Sequence, residues 1–212
     1  FPLPEAVMAL AYRALGREDL VAARLVTLAF FVGAAAFLFL LARDLFDPEV
    51  AFLTAAVFCT LPLGIYYSRA LHVDPAVLCF AHAALFFAVR GIEEGRVGPL
   101  VAASACAALA FLIKAPTAFY LALPVGLLLV TRFDRRVAAG LVLAGLPPLI
   151  AFAAWRAHAS ALNAGVPDLS FVPGFTADLR KHLDGTEWYF GTLAMRLDPG
   201  DWATLARRLR DE

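Results

Sequence analysis

Residues 25–42 read LVTLAFFVGAAAFLFLLA, eighteen positions without a single charged side chain. As a helix this run would rise about 27 Å, close to the roughly 30 Å of hydrocarbon in a bilayer. Lipid offers the backbone no hydrogen-bond partners, so a helix, which satisfies its own N–H and C=O groups, is the form such a run takes there. Five further charge-free runs follow, at residues 50–68 (19 positions), 75–89 (15), 97–113 (17), 115–131 (17) and 137–155 (19). Five of the six can span unaided. The 15-residue run spans with its flanks, because Asp74 and Arg90 can hold their charged ends at the interface.

The whole composition agrees. Of 212 residues, 62% are hydrophobic and 17% charged, whereas an ordinary globular domain is roughly 45–50% apolar and about 25% charged. The expected fold is therefore all-α, a polytopic transmembrane helical bundle of about six spans. Formal net charge is zero, which argues against a nucleic-acid partner. Cys59, Cys79 and Cys106 all lie inside the runs, where they read as packing residues and imply no pairing. The chain opens on Phe1-Pro2 without an initiator Met and closes on LARRLRDE, so it reads as an internal piece of a longer protein.

Short connections separate the runs, and alternate ones must face opposite sides. The first, third and fifth carry Arg43, Arg90, Arg96, Arg132, Arg135 and Arg136; the second and fourth carry only Arg69 and Lys114. The richer set marks the cytoplasmic side, which places Arg69, His72, Asp74 and Lys114 at the outer face. Residues 1–18 hold apolar side chains at 7, 8, 11, 12 and 15 with Gly16 as a stop, the pattern of an amphipathic helix on the outer surface. Residues 19–160 form the six-span region. Residues 161–212 read as an extracytoplasmic loop with short interfacial helices, including DWATLARRLR at 201–210. Pro62, Pro124, Pro147 and Pro148 fall inside runs, where they imply kinks.

Topology then gathers three ionisable groups at one boundary. Arg69 ends the second run, Asp74 precedes the third and Lys114 follows the fourth. Each could simply mark where a helix leaves the lipid. Together, two cations and one carboxylate suit an anionic ligand: Arg69 and Lys114 for phosphate oxygens, Asp74 to accept a hydrogen bond or proton. His72, His82 and His158 read as packing or interface residues. Farther on, KHLDGTEWYF gathers His182, Glu187, Trp188 and Tyr189. The last two read as an interfacial belt or a sugar-stacking platform. His182 with Glu187 is too small a set to expect a metal.

These stretches carry a family resemblance. PLPEAVMALAYRALG, ARLVTLAFFVGAAAFLFLLARDLF, LPLGIYYSRALHVDPAVL and ASACAALAFLIKAP, in that order, resemble the multispanning GT-C enzymes that include protein O-mannosyltransferases and bacterial lipid A aminoarabinose transferases. The resemblance implies a membrane glycosyltransferase that takes its sugar, hexosyl or pentosyl, from a polyprenyl-phosphate donor and passes it to a lipid, glycan or protein acceptor. It implies that Asp74 is the second acidic position at the outer face, that Lys114 contacts the lipid phosphate and that Arg69 is the arginine preceding the acid. It also implies that His182, Glu187, Trp188 and Tyr189 belong to an acceptor or substrate loop. The family's main catalytic aspartate would lie upstream of Phe1, so this piece alone is expected to be inactive. Glu5, Glu18 and Asp19 do not occupy that position. No cofactor is implied beyond the donor, since the lipid phosphate is itself the leaving group, and direct displacement would invert the sugar. Arginine outnumbers lysine 16 to 2, which with abundant alanine points to a GC-rich bacterial genome, so the expected location is a bacterial inner membrane with the site facing outward. The rival reading is a transporter or flippase-like protein; a membrane scaffold without chemistry is a third.

Overall fold

The structure is a computed structural model that describes residues 2–131, 134–163, 198–200, 202, 203, 207 and 210. His182, Glu187, Trp188 and Tyr189, the expected acceptor or substrate loop, lie outside the described residues. Residues 1–155 form one compact unit and residues 156–212 another.

Helix α1, Leu3–Leu15, turns Pro4, Val7, Met8, Ala11 and Tyr12 inward and ends at Gly16, whose φ of 67° is the left-handed cap that glycine adopts without strain. Helix α2, Leu20–Leu45, starts at Asp19, whose Oδ1 accepts the Val21 and Ala22 amides at 2.7 and 3.4 Å. Those two bonds, with Arg17 at 2.9 Å, hold the Asp19 carboxyl below its ordinary range. Asp47 caps the next helix, α3 (Pro48–Thr60), by accepting the Val50 amide at 2.8 Å, with Pro48 in the first turn where no donor is needed. Pro62 then forces Leu61 into an extended conformation (φ −57°, ψ 137°), and helix α4 (Pro62–Arg69) leaves at a 63° bend.

Helix α5, Asp74–Glu94, closes on Gly95, also left-handed at φ 63°. Helix α6, Val97–Ala118, returns alongside it. A 3-10 turn at Phe119–Leu121, helix α7 (Ala122–Thr131) and helix α8 (Arg135–Asn163) complete the described helices up to residue 163. α8 runs continuously through Pro147 and Pro148.

Among the described residues, four helices are long and apolar enough to cross a membrane, and the count is five when the bent α3–α4 pair is taken as one broken span. The chain is thus the expected all-α polytopic bundle, but the fifth of the six expected spans differs. Residues 115–131 do not form one helix. Lys114 sits at φ −157°, ψ 88°, a break inside α6, and the 3-10 turn interrupts the run again before the ten-residue α7. Two prolines explain this. Pro116 and Pro124 lack the amide that would close bonds to residues 112 and 120, so the helix is weakened at two points eight residues apart. Pro124 is accommodated in the first turn of α7.

The core is built on α5. Of its most apolar stretch 67% is buried, against 28% in α2 and 22% in α6 and α8. It packs on α2 and α6, around Val77, Ala81, Leu85, Phe86 and Val89. His82, buried in the same helix, donates from Nδ1 to the Ala34 carbonyl of α2 at 3.0 Å, because a carbonyl can only accept. Close approach is built in at glycines: a Cβ on Gly91 would meet the Leu100 backbone nitrogen at 3.0 Å, and one on Gly64 would meet the Phe58 carbonyl oxygen across the α3–α4 bend at 2.5 Å.

Gly64→Ala therefore should lower unfolding stability by about 1–3 kcal/mol, since backbone cannot rotate out of the way. Gly98→Ala, with nothing within 4 Å of the new methyl, should be neutral or gain up to about 1 kcal/mol. Thermal melts of the purified protein in detergent compare the two.

Candidate functional site

Asp74 opens α5, with Pro75 in the first turn. A carboxylate there faces the positive end of the helix dipole, a favourable place for negative charge. Its partner comes from the break in α6. Lys114, in extended conformation, brings Nζ to 2.8 Å from Asp74 Oδ1, closing an ion pair between residues 40 positions apart. The side chains are 15% exposed at Asp74 and 25% at Lys114. A pair so far out of water is worth more than a surface salt bridge, and removing one member leaves the other poorly solvated.

The second carboxylate oxygen is occupied as well. His72 Nδ1 lies 2.9 Å from Asp74 Oδ2. The same nitrogen is 3.4 Å from the Asp74 amide, but it cannot accept there while donating to the carboxylate, and the shorter, charge-assisted contact decides the tautomer. Tyr67 of α4 packs edge-on against the imidazole, with ring centroids 5.2 Å apart. Asp74 is thus a bracket that holds a lysine on one oxygen and a histidine on the other. Arg69, the last residue of α4, is exposed and makes no ion pair among the described residues.

Of the residues singled out from sequence, then, Asp74 and Lys114 come into direct contact, and Arg69 stands at the adjoining helix end without bonding to either. His72 was read as a packing or interface residue; the structure makes it a partner of Asp74. The signal for it was present, because a histidine two residues before an acid, in the short loop that Pro75 terminates, is confined near that acid. Among the described residues no three His, Cys, Asp or Glu side chains come together as a metal site would require.

The opposite end of α5, about 24 Å away along the axis, is differently built. Arg90 lies 3.2 Å from Glu94 and 3.9 Å from Asp44 of α2, over the Phe86 ring at 5.4 Å, and Arg96 also bonds Glu94 at 3.2 Å. Here Arg90 and Arg96 each have an acid, whereas at the Asp74 end one acid faces a lysine and a histidine, with Arg69, which makes no ion pair among the described residues, nearby.

An apolar cavity of about 290 Å³ lies within the 1–155 unit, between α5, α6, α7 and α8. Phe111, one helical turn before Lys114, and Leu121 line it, with Ala88, Ala103, Ala107 and Ala144.

Fold and site together define a class: an integral, multi-pass, all-α membrane protein with a charged cluster where a bent helix, the central helix and a broken helix end. Residues 2–155 match the profile of the family described as dolichyl-phosphate-mannose-protein mannosyltransferase, and the chain belongs to that family. It is a membrane glycosyltransferase of the mannosyltransferase type. No curated protein and no solved structure matches the chain.

Asp74→Asn, Lys114→Ala and the double variant should form a cycle with an interaction energy of about 1–3 kcal/mol. Denaturant unfolding in detergent measures it, and additive single effects would contradict the pairing.

Proposed function

We propose that the protein transfers a sugar from a polyprenyl-phosphate donor to a lipid, glycan or protein acceptor at the outer face of a bacterial inner membrane. The observation that carries this reading is the Lys114–Asp74 contact at the helix ends, in a chain whose family acts on a lipid-phosphate sugar. Arg69 and Lys114 bind the donor phosphate. As the bond between the anomeric carbon and phosphate oxygen breaks, negative charge grows on that oxygen, and fixed cations there lower the barrier without having to reorganise. Asp74, held between Lys114 and His72, positions both. The acceptor attacks the anomeric carbon from the side opposite the departing phosphate, so the product carries inverted configuration.

The apolar cavity supports the same reading. A prenyl chain leaving a phosphate at Lys114 passes Phe111 about 4.5 Å farther down the axis and enters a space lined by apolar side chains. Sources of the charge also bear on the transporter alternative. A transport pathway would place ionised groups near the midplane, and the charge-free runs 25–42, 75–89 and 97–113 contain no Asp, Glu, Lys or Arg.

In the full-length protein, Asp74→Asn and Lys114→Ala should each reduce sugar transfer from polyprenyl-phosphate mannose by about 100-fold or more while leaving membrane insertion intact. Undiminished transfer in both variants would remove these residues from the reaction. Ala107→Phe, which fills the cavity, should raise the donor KM by about tenfold with kcat nearly unchanged, and an unaltered KM would place the lipid chain elsewhere.

A further inference from the structure

Tyr66 of α4 stands open beside the charged cluster. It is 64% exposed, yet its ring is braced from one side. Tyr67 meets it edge to face, with centroids 5.2 Å apart and planes at 83°. Tyr67 in turn packs against His72 at 5.2 Å, and His72 lies 2.9 Å from Asp74, which holds Lys114 at 2.8 Å. A row of contacts thus runs from the exposed ring of α4 to the lysine at the break in α6.

Helix geometry places Tyr66 between that cluster and Arg69. Successive residues of a helix are turned by about 100°, so Arg69 lies about 60° round from Tyr66, on the side away from Tyr67. Side chains three apart on a helix are neighbours, with Cβ atoms about 5–6 Å apart. A phosphate held by Arg69 therefore has the Tyr66 ring within one side-chain spacing. In the donor the sugar is bonded directly to that phosphate, so the surface that receives the sugar must lie at about that spacing. An aromatic face carries partial negative charge, and the C–H bonds on one face of a pyranose ring present the complementary charge over a flat apolar area. A tyrosine that merely anchored the chain among lipid headgroups would need neither the brace from Tyr67 nor a cation on the same helix face.

We propose that Tyr66 is the platform for the donor's sugar: its ring stacks on a pyranose face while Arg69, on the same face of α4, holds the adjoining phosphate. The inference rests on the glycosyltransferase reading above and names the residue that orients the ring whose anomeric carbon is attacked. Stacking holds the donor in the ground state and in the transition state alike. It therefore acts on donor affinity and leaves the rate of the chemical step nearly unchanged.

The test uses the full-length protein in native membranes, which supply the acceptor, with radiolabelled polyprenyl-phosphate mannose as donor and sugar-free polyprenyl phosphate as competitor. Removing an exposed ring disturbs little packing. Tyr66→Ala should raise the donor KM about tenfold, with kcat within about threefold of wild type and the competitor's inhibition constant unchanged. Tyr66→Leu, apolar but not aromatic, should match Tyr66→Ala. Tyr66→Phe, which keeps the ring, should hold the donor KM within about threefold of wild type. An unchanged donor KM in Tyr66→Ala would overturn the proposal alone. So would an equal rise in the donor KM and the competitor's constant, the pattern of a contact to lipid or phosphate. A wild-type KM in Tyr66→Leu, or a loss in Tyr66→Phe as large as in Tyr66→Ala, would likewise overturn stacking. Absence of transfer by the wild-type protein would overturn the glycosyltransferase reading and this proposal with it.

Discussion

The contact between Lys114 Nζ and Asp74 Oδ1, 2.8 Å long, is the constraint on which the rest of the site depends. It ties the broken end of α6 to the first residue of α5, and Asp74 in turn fixes His72 in the loop that follows α4. Three elements that could drift independently are thus held at one point. Electrostatics makes the tie strong where it matters: both side chains are mostly withdrawn from water, so the attraction is little screened and neither group is comfortable without the other. The same withdrawal explains why the lysine emerges from a kink. A straight helix through residue 114 would be continuous with 115–118, and the extended backbone at Lys114 departs from that path.

Much of this was legible in the sequence, for a plain physical reason. Charge in lipid is so costly that charge-free runs mark spans, and the short connections left between them had to carry Arg69, Asp74 and Lys114. Alternation of sides then places those three at one boundary. The run that looked weakest as a span, residues 75–89, proved to be the central helix. It is short and alanine-rich because it faces other helices more than lipid, and buried positions demand close fit where lipid-facing ones demand bulk apolar surface. Its buried histidine finds the Ala34 carbonyl for the same reason.

What the sequence did not yield concerns backbone geometry and pairing. Residues 115–131 have the length and apolarity of a span, and only the joint effect of Pro116 and Pro124 divides them into a helix end, a 3-10 turn and a short helix. Pro147 and Pro148, by contrast, leave α8 whole, so a proline alone does not announce a break. His72 escaped because single histidines near helix ends are common; its significance appears only when Asp74 is seen to have one oxygen for Lys114 and another for the imidazole. Arg69 fits the proposed phosphate site by position at the end of α4, with no bond to the other members of the cluster.

The two ends of α5 offer rival places for an anionic lipid: the Asp74 end, with Arg69, His72 and Lys114, and the Arg90 end, with Asp44 and Glu94 among its cations. A polyprenyl phosphate bearing a photoreactive group next to the phosphate distinguishes them in the full-length protein. After irradiation and peptide mass spectrometry, the account predicts label within residues 66–75 or around Lys114. Label concentrated instead around Arg43, Arg90 or Arg96 would contradict it.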